Sequence, residues 1–393
     1  MRYLENLLAG VEVEWKALGE VADYEQPIKY LVKSDNYKNN FPTPVLTAGK
    51  TFILGYTDET DGIYQASETP VIIFDDFTTA NKWVDFDFKA KSSAMKMITS
   101  KDESVALLKY IYYWLNTLPS GLIDSDHKRQ WIANYSNKQI LIPSLEVQKK
   151  IVRILDTFTE LTAELTAELT ARKKQYAYYR EELFNFDEKK VDCKPLGEIG
   201  EFQRGKRFVR TDMISEGVPC IHYGEMYTHY GTWANESKSF LSEELVENKN
   251  LRIAKKGEVV IVAAGETIED LGKGTAWLGN KGVVIHDACF SYRSLLNPKY
   301  VAYFTRTKQF QDQIKKHISS GKISAINAKG LSTALIPVPS PEEQERIVTI
   351  LDKFDTLTTS ISEGLPKEIE LRKKQYEYYR NMLLSFPKNN IEK

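Results

Sequence analysis

The sequence predicts an α+β chain: two globular domains of similar fold, separated by two long helices packed as an antiparallel coiled coil. An internal pseudo-twofold repeat relates the halves. Three observations predict this. Val13 to Val21 (VEWKALGEV) reappears as Val191 to Ile199 (VDCKPLGEI), 178 positions on. Ile142 to Phe158 (IPSLEVQKKIVRILDTF) reappears as Val338 to Phe354 (VPSPEEQERIVTILDKF), an offset of 196. Arg172 to Arg180 (RKKQYAYYR) reappears as Arg372 to Arg380 (RKKQYEYYR), an offset of 200. Chance does not produce three collinear blocks, and a repeat of this length governs the whole architecture. Between the blocks, 22–140 and 200–335 show no evident similarity, so the plan is a short shared block, a variable domain and a shared helix, twice over.

Taken in order, the first globular domain spans 1–143. PVLTAGKTFILGYT and TPVIIFDDF read as strands with turn residues between them, and SVALLKYIYYWLNTL as a helix. The second segment, 144–187, reads as one uninterrupted helix. Ile151, Leu155, Phe158, Leu161, Leu165 and Leu169 recur every three or four residues, Tyr176, Tyr179 and Leu183 extend the stripe, and no Gly or Pro intervenes from Ser144 to Phe186. Ser144 with Glu146 and Gln148, like Ser340 with Glu342 and Glu343, offers an N-terminal cap. Gln148-Lys149-Lys150 and Arg172-Lys173-Lys174 mark a charged, solvated face. The second domain, 188–339, has GEVVIVAAGE and KGVVIHDACFSYR as strands and PKYVAYFTRTKQFQDQIKKH as a helix. The last segment, 340–393, repeats the helix with a difference: Ser362-Glu363-Gly364-Leu365-Pro366 predicts a break, glycine ending one helix and proline starting the next. Leu155, Phe158, Leu165, Leu169, Leu351 and Phe354 are the residues expected to pair the two spacer helices.

Composition excludes several classes. The 393 residues hold 53 Lys+Arg against 54 Asp+Glu, so no uniformly basic polyanion binder is present and any such site is local or completed by a partner. No apolar run reaches the length of a membrane span and the N-terminus lacks a signal-peptide pattern, so a cytoplasmic protein with no membrane partner is expected. Three cysteines without a pairing motif fit a reducing compartment.

Catalytic constellations are missing. Gly272-Lys273-Gly274-Thr275 looks like the end of a phosphate loop, but Ile268 stands where its first glycine belongs. Cys220, His222, His229, His286 and Cys289 lack metal-ligand spacing. Asp75-Asp76 reads equally well as a strand end. What remains is a binding surface. Residues 200–340 carry 19 Lys+Arg against 14 Asp+Glu, whereas 16–145 carry 14 against 16. Basic residues cluster with small polar ones at Lys50, at Thr79, Asn81 and Lys82, at Ser92, Ser93 and Lys96, and at Lys128 and Arg129. In the second domain they cluster at Arg204, Lys206 and Arg207, with His222, Lys273, Lys322 and Ser324. Such groups suit DNA, where cations and backbone N–H groups hold phosphates while polar side chains read base edges. For any one of them, plain surface exposure is the competing reading.

Two unlike domains, each followed by a copy of ILIPSLEVQKKIVRILDTF or LIPVPSPEEQERIVTILDKF and of RKKQY-x-YYR, together with the Thr-Ala-Glu-Leu units at 162–169, resemble the specificity subunit of a type I restriction-modification system. The resemblance covers essentially the whole chain. It implies two target-recognition domains, each reading one half of a bipartite, asymmetric site in double-stranded DNA, with the helices as spacer and as docking sites for two methyltransferase subunits. Endonuclease/translocase subunits would join the larger complex. It implies no catalysis and no cofactor in this subunit, S-adenosylmethionine, ATP and magnesium belonging to the partners. Ile142 standing before Pro143, and the 364–366 break, depart from strict symmetry. A four-residue unit advances a helix by about 6 Å and turns it a net 40° or so. One base pair advances DNA by about 3.4 Å and turns it by about 36°, so each Thr-Ala-Glu-Leu unit is expected to re-register the second domain by about one base pair. The competing class is a coiled-coil scaffold with two protein-binding domains, which predicts no DNA affinity. An autonomous nuclease or methyltransferase is disfavoured by the missing motifs.

Overall fold

A computed structural model of the chain describes residues 8, 10–49, 51–119, 129–187, 190–360 and 362–386. It divides into two compact units: 1–165 with 368–393, and 166–367. These boundaries fall within the long helical segments at 144–187 and 340–393. Each unit takes half of each.

In the first unit the chain runs β1 (Val13–Ala17), α1 (Leu18–Val21), β2 (Ala22–Glu25), β3 (Thr43–Leu46), β4 (Ile53–Thr57), β5 (Val71–Asp75), β6 (Asn81–Val84), β7 (Lys89–Ala90), β8 (Met95–Ser100), α2 (Leu108–Leu115), α3 (Gln130–Ala133) and β9 (Gln139–Pro143) into the helix α4 (Leu145–Glu182). One sheet has the order β2-β8-β5-β6, a second β4-β3-β7, and β1 pairs with β9. Strands β5 and β8 lie inside their sheet, which accounts for the continuous apolar run Val71-Ile72-Ile73-Phe74.

The second unit continues with β10 (Cys193–Pro195), α5 (Leu196–Ile199), β11 (Gly200–Arg204), β12 (Val218–Ile221), α6 (Glu225–Thr228), β13 (Trp233–Ala234), β14 (Ser239–Leu241), α7 (Glu243–Asn248), β15 (Ile253–Ala254), β16 (Val259–Val262), β17 (Ala264–Gly265), β18 (Gly274–Trp277), β19 (Val283–Ile285), β20 (Cys289–Ser294), α8 (Pro298–Phe304), α9 (Lys308–Lys315), β21 (Ser324–Ala325), α10 (Ala328–Ser332), β22 (Leu335–Pro337), α11 (Pro341–Thr359) and, across the unit boundary, α12 (Gly364–Ser385). Its sheets have the orders β11-β20-β16-β18-β13 and β14-β12-β19-β15, with pairs β10-β22 and β17-β21. The strand orders of the first unit recur here. β2-β8-β5-β6 matches β11-β20-β16-β18, and β4-β3-β7 matches β14-β12-β19, including the parallel pairing of β3 with β7 and of β12 with β19. Even the register of the closing strands repeats: Trp15 faces Leu141 as Cys193 faces Pro337, at the offsets of 178 and 196.

A fourth repeat block emerges where the variable segments had shown none. Lys109-Tyr110-x-x-Tyr113-Trp114 on α2 matches Lys299-Tyr300-x-x-Tyr303-Phe304 on α8, an offset of 190. The Tyr110 hydroxyl donates to the Leu141 carbonyl (2.7 Å) and Tyr300 to Pro337 (3.0 Å). Tyr113 donates to Asp156 as Tyr303 does to Asp352, and Lys109 and Lys299 pair with the same two carboxylates (3.2 and 2.7 Å). Gln148, expected on the solvated face, is fully buried. Its amide accepts the Leu107 N–H (2.9 Å) and donates to the Pro143 carbonyl (2.8 Å), as Gln344 does with Asn297 and Pro339. Each glutamine thereby joins a carbonyl at the start of a long helix to the N–H at the start of α2 or α8, satisfying both. The sequence 298–317, read as one helix, is broken at Thr305–Thr307. Thr305 and Thr307 turn their hydroxyls onto the preceding carbonyls, and Thr307 then caps α9 through the Phe310 N–H.

The helices cross between the repeats. In the first unit Ile151 and Leu155, early in α4, share one core with Leu383 and Leu384 of α12 and with Phe386, which follows it. Phe158 stacks on Tyr379 at 5.3 Å. In the second unit Ile347, Val348 and Leu351 of α11 share a core with Tyr176 late in α4 and with Phe184 just beyond it, while Phe354 stacks on Tyr179 at 5.4 Å. In each unit one helix leaves the domain as the other arrives, so the pair is antiparallel. The glycine break is where it was expected: α11 stops at Thr359 and Gly364, at φ +80°, opens α12 with Pro366 in its first turn. Of the spacer residues, Leu155 and Leu351 are fully buried and Phe158 and Phe354 half-buried in these helix pairs. Leu165 and Leu169 are half-buried on either side of the unit boundary, which falls inside the Thr-Ala-Glu-Leu repeat.

Candidate nucleic-acid interface

In the second domain, parallel strands β12 and β19 are in register, Cys220 opposite Val284 and Ile221 opposite Ile285. The next residue on each strand is a histidine. Adjacent strands lie about 4.8 Å apart, and the His222 and His286 rings sit 4.7 Å apart at their carboxyl ends. Phe208, fully buried, supports both edgewise (5.9 and 5.2 Å), and Tyr223 lies against both (4.6 and 5.1 Å). Arginines reach the same place along β11. Its end rides so closely over 285–286 that a Cβ on Gly205 would stand 2.1 Å from the His286 carbonyl oxygen, so glycine is what lets Arg204-Gly205-Lys206-Arg207 approach. Gly205 N–H donates to the Cys289 carbonyl (2.9 Å), fixing that approach.

The result is an open cleft of about 660 Å³, lined by Arg204, Arg207, Arg210, His222, Tyr223 and His286, with Glu266, Asp287 and Ile323 among the other walls. Arg204 donates to the Asp287 carbonyl (3.0 Å), while Arg207 and Arg210 make no ion pair among the described residues. His222 Nδ1 accepts the Gly224 N–H (3.3 Å), leaving Nε2 as its N–H donor. His286 Nδ1 faces both the Ala288 N–H (3.1 Å) and the Asp287 carboxylate (2.9 Å), which it can satisfy only one at a time. Burial, reinforced by His286 and Arg210, holds His222 below the ordinary histidine value. Burial holds His286 down too, against the pull of Asp287.

Of the residues expected at an interface, Arg204, Arg207 and His222 thus meet in one cleft. Lys206 is half-buried beside it, reaching the Lys249 carbonyl at 3.5 Å. Lys322 is exposed next to Ile323. Ser324 is buried in the β17–β21 pair and so is part of the wall rather than a contact. Lys273 lies elsewhere, paired with Asp270 (2.6 Å). Tyr223 was expected beside His222, whereas Arg210 and His286 were not among the expected contacts. The signal for the last was present, since Ile221-His222 and Ile285-His286 end two apolar strands alike.

The first domain has the same corner, differently furnished. Parallel β3 and β7 end at Leu46 and Ala90, and Thr47 and Lys91 follow. Exposed Ser92 and Ser93 continue this loop, and Lys91 pairs with Asp35. Asn81 is half-buried against Asn116 (3.1 Å) and Lys82 is exposed over the Phe52 ring (5.2 Å). Arg129 is exposed. Two expected contacts are instead internal. Thr79, at φ +60° in the β5–β6 turn, is buried and donates its hydroxyl to the Thr78 carbonyl (2.6 Å). Lys96 is buried on a central strand, 3.7 Å from Asp76 and 4.5 Å over the Tyr24 ring, and burial lowers its pKa. Lys50 and Lys128 lie outside the described residues. Among the described residues, no cluster of three or more His, Cys, Asp or Glu could hold a metal ion. Burial pushes the Cys220 and Cys289 thiols up to about 12.

Residues 10–172 and 188–371 match the family model for the type I restriction modification DNA specificity domain. The chain belongs to this family. It is 52% identical to the type I restriction enzyme EcoR124I/EcoR124II specificity subunit of Escherichia coli, over 99% of this chain and 98% of that protein. A putative type I restriction enzyme specificity subunit of Haemophilus influenzae is 32% identical, with 98% of each chain covered. Among solved structures, the type I restriction-modification S subunit from M. genitalium has the same fold, with a TM-score of 0.56 at 16% identity, covering 96% of this chain and 97% of its own. The two matched stretches of this DNA-specificity family each contain one of the two differently furnished corners.

Proposed function

We propose that the chain is the DNA sequence-specificity subunit of a type I restriction-modification complex, each domain reading one half of a bipartite site. The observation that carries this is the pair of equivalent corners. One scaffold, with the same strand order and register, presents Arg207, Arg210, His222 and His286 in one copy and Thr47, Lys91, Ser92 and Ser93 in the other. Surfaces built for one shared partner would be alike, whereas surfaces for two unlike half-sites differ. The helix pairs carry the spacing, and their charged outer faces, with Tyr178 and Tyr378 exposed at equivalent places, offer the docking surface for two methyltransferase subunits. Methyl transfer, with S-adenosylmethionine, and cleavage or translocation, with ATP and magnesium, belong on this reading to the methyltransferase and endonuclease/translocase partners. No helix among the described residues is long and apolar enough to cross a membrane, and a cytoplasmic place beside the DNA follows from the function.

The test is to map genomic methylation with and without the gene. Loss of methylation at one bipartite, asymmetric sequence supports the reading. An unchanged methylome, with no DNA affinity when methyltransferase is present, leaves a scaffold binding two proteins.

A further inference from the structure

The cleft of the second domain is furnished for an anion. Arg207 and Arg210 bring guanidiniums that no described carboxylate neutralises, and a guanidinium offers only donors. His222 has its Nδ1 occupied by a backbone N–H, so the nitrogen left to a ligand is a donor as well. Adenine and cytosine edges bring an amino donor that such a lining cannot meet, and a guanine edge, although it offers two acceptors, carries no charge to match two unpaired guanidiniums. A phosphate brings acceptors and charge without donors. We propose that this cleft seats a backbone phosphate of duplex DNA, gripped by Arg207 and Arg210 and hydrogen-bonded by the His222–His286 pair. The assignment rests on reading the chain as a DNA-specificity subunit and adds what this corner does: it anchors and orients the second domain while neighbouring loops read bases.

A consequence separates this seat from an ordinary lysine contact. The groups facing the histidines are Arg204 and Arg207 from β11 and the loop after it, Arg210 from the turn at 210–212, and Tyr223 and Glu225 after β12. Glu266 after β17 and Asp287 before β20 complete the set. Glu225 is committed inward, accepting the His222 backbone N–H (3.0 Å) and the Ser239 hydroxyl. With the site empty, burial, helped by the arginines, holds both rings below the ordinary histidine value, against the pull of Asp287. A phosphate placed against them offsets both effects and favours the imidazolium. DNA binding therefore takes up protons, and affinity rises as pH falls through the histidine range.

The experiment uses the full chain assembled with its methyltransferase subunits. A duplex carrying the mapped target and one lacking it are titrated across a series of salt concentrations. Arg207 is exposed, so Arg207→Gln leaves the fold intact. The expected result is a loss of about tenfold on both duplexes by the same factor, with the slope of log K against log salt shallower by about one. The His222→Gln/His286→Gln pair is expected to abolish the gain in affinity between about pH 7.5 and 6. Because those rings are buried and the variant could fail to fold, proton uptake is also measured calorimetrically on the unaltered protein, in buffers of different ionisation enthalpy. Uptake on binding supports the seat and its absence overturns it. A loss on Arg207→Gln confined to duplexes with one particular base pair makes the cleft a base reader and overturns the phosphate. Unchanged DNA binding together with stabilisation of the domain by inorganic phosphate makes it a free-anion site and also overturns it. An unaltered protein that does not prefer its target sinks the specificity reading itself, a failure distinct from these.

Discussion

Truncating Leu383 should loosen a domain some 240 residues earlier in the chain and spare the domain that precedes it in sequence. The side chain is fully buried, and its cluster includes Leu18, Ile72, Tyr110, Ile151 and Leu155, all in the first unit. Leu→Ala at such a site removes transfer energy and leaves a cavity, together costing about 2–5 kcal/mol. A domain of this size has about 5–15 kcal/mol of stability, so the loss is large and the fold survives. At about 3 kcal/mol, amides that exchange only on full opening of the first unit should exchange roughly a hundredfold faster. Hydrogen exchange read by mass spectrometry localises the effect: peptides covering Val71–Asp75 and Met95–Ser100 should speed up, whereas Val259–Val262 and Cys289–Ser294 should not. Phe184→Ala should give the reverse pattern, because Phe184 is buried with Tyr300, Phe304 and Leu351 in the second unit. If Leu383→Ala speeds exchange in 259–262 and leaves 71–75 unchanged, each half folds on its own helix and the crossed arrangement is wrong.

Gly205→Ala drives a Cβ into the backbone at 285–286, so it should destabilise the second unit by about 2–4 kcal/mol and weaken recognition of one half-site only, read by denaturation and by methylation of targets altered in either half. His222 and His286 are held below their unfolded value, so the unfolded chain binds more protons; the stability they contribute is complete above the ordinary histidine value and lost as pH falls through it. The second unit, free of DNA, should therefore melt at lower temperature near pH 5 than near pH 7.5, and a melt that rises on acidification contradicts the burial of the pair. Inserting one further Thr-Ala-Glu-Leu unit into α4 should lengthen the gap between half-sites by about one base pair, and an unchanged gap in mapped methylation sites removes the ruler role from these residues.

Much of the architecture was legible because its evidence is local. The long helix shows itself through apolar period and the absence of breakers, and the break at 364–366 through a glycine followed by a proline. The fourth block escaped because its role is tertiary. Only Lys, two Tyr and an aromatic recur, at an offset of its own, and their purpose appears when hydroxyls meet Leu141, Pro337, Asp156 and Asp352. Lys96 was misplaced for a related reason. On β8, inside its sheet, Met95, Lys96, Met97 and Ile98 are all buried, so the two-residue alternation that would set it apart is absent. The His222–His286 cleft needed the parallel register of β12 and β19, a pairing that joins segments about 60 residues apart and that no local pattern specifies.

The repeat also sorts residues by the work they do. Where the same joint is made twice, the chemistry is the same twice: Tyr, Lys, Gln and Asp recur with the same partners at the base of each helix pair. The exception lies deeper in that joint. Arg306 and Asp355 in the second unit stand where the offsets of 190 and 196 place Asn116 and Thr159 in the first. Arg306 reaches the Gly231 and Gly274 carbonyls (2.8 and 3.0 Å), and burial raises the Asp355 carboxyl against the pull of that arginine. Buried charge is retained there at a cost that a neutral Asn–Thr pair avoids. What it secures is a tie from the helix pair to Gly231 and Gly274, at the Trp233 edge that the first unit's sheet lacks. The second domain carries additional strands β13 and β15, and Arg306 sits where the joint must hold that larger sheet in place.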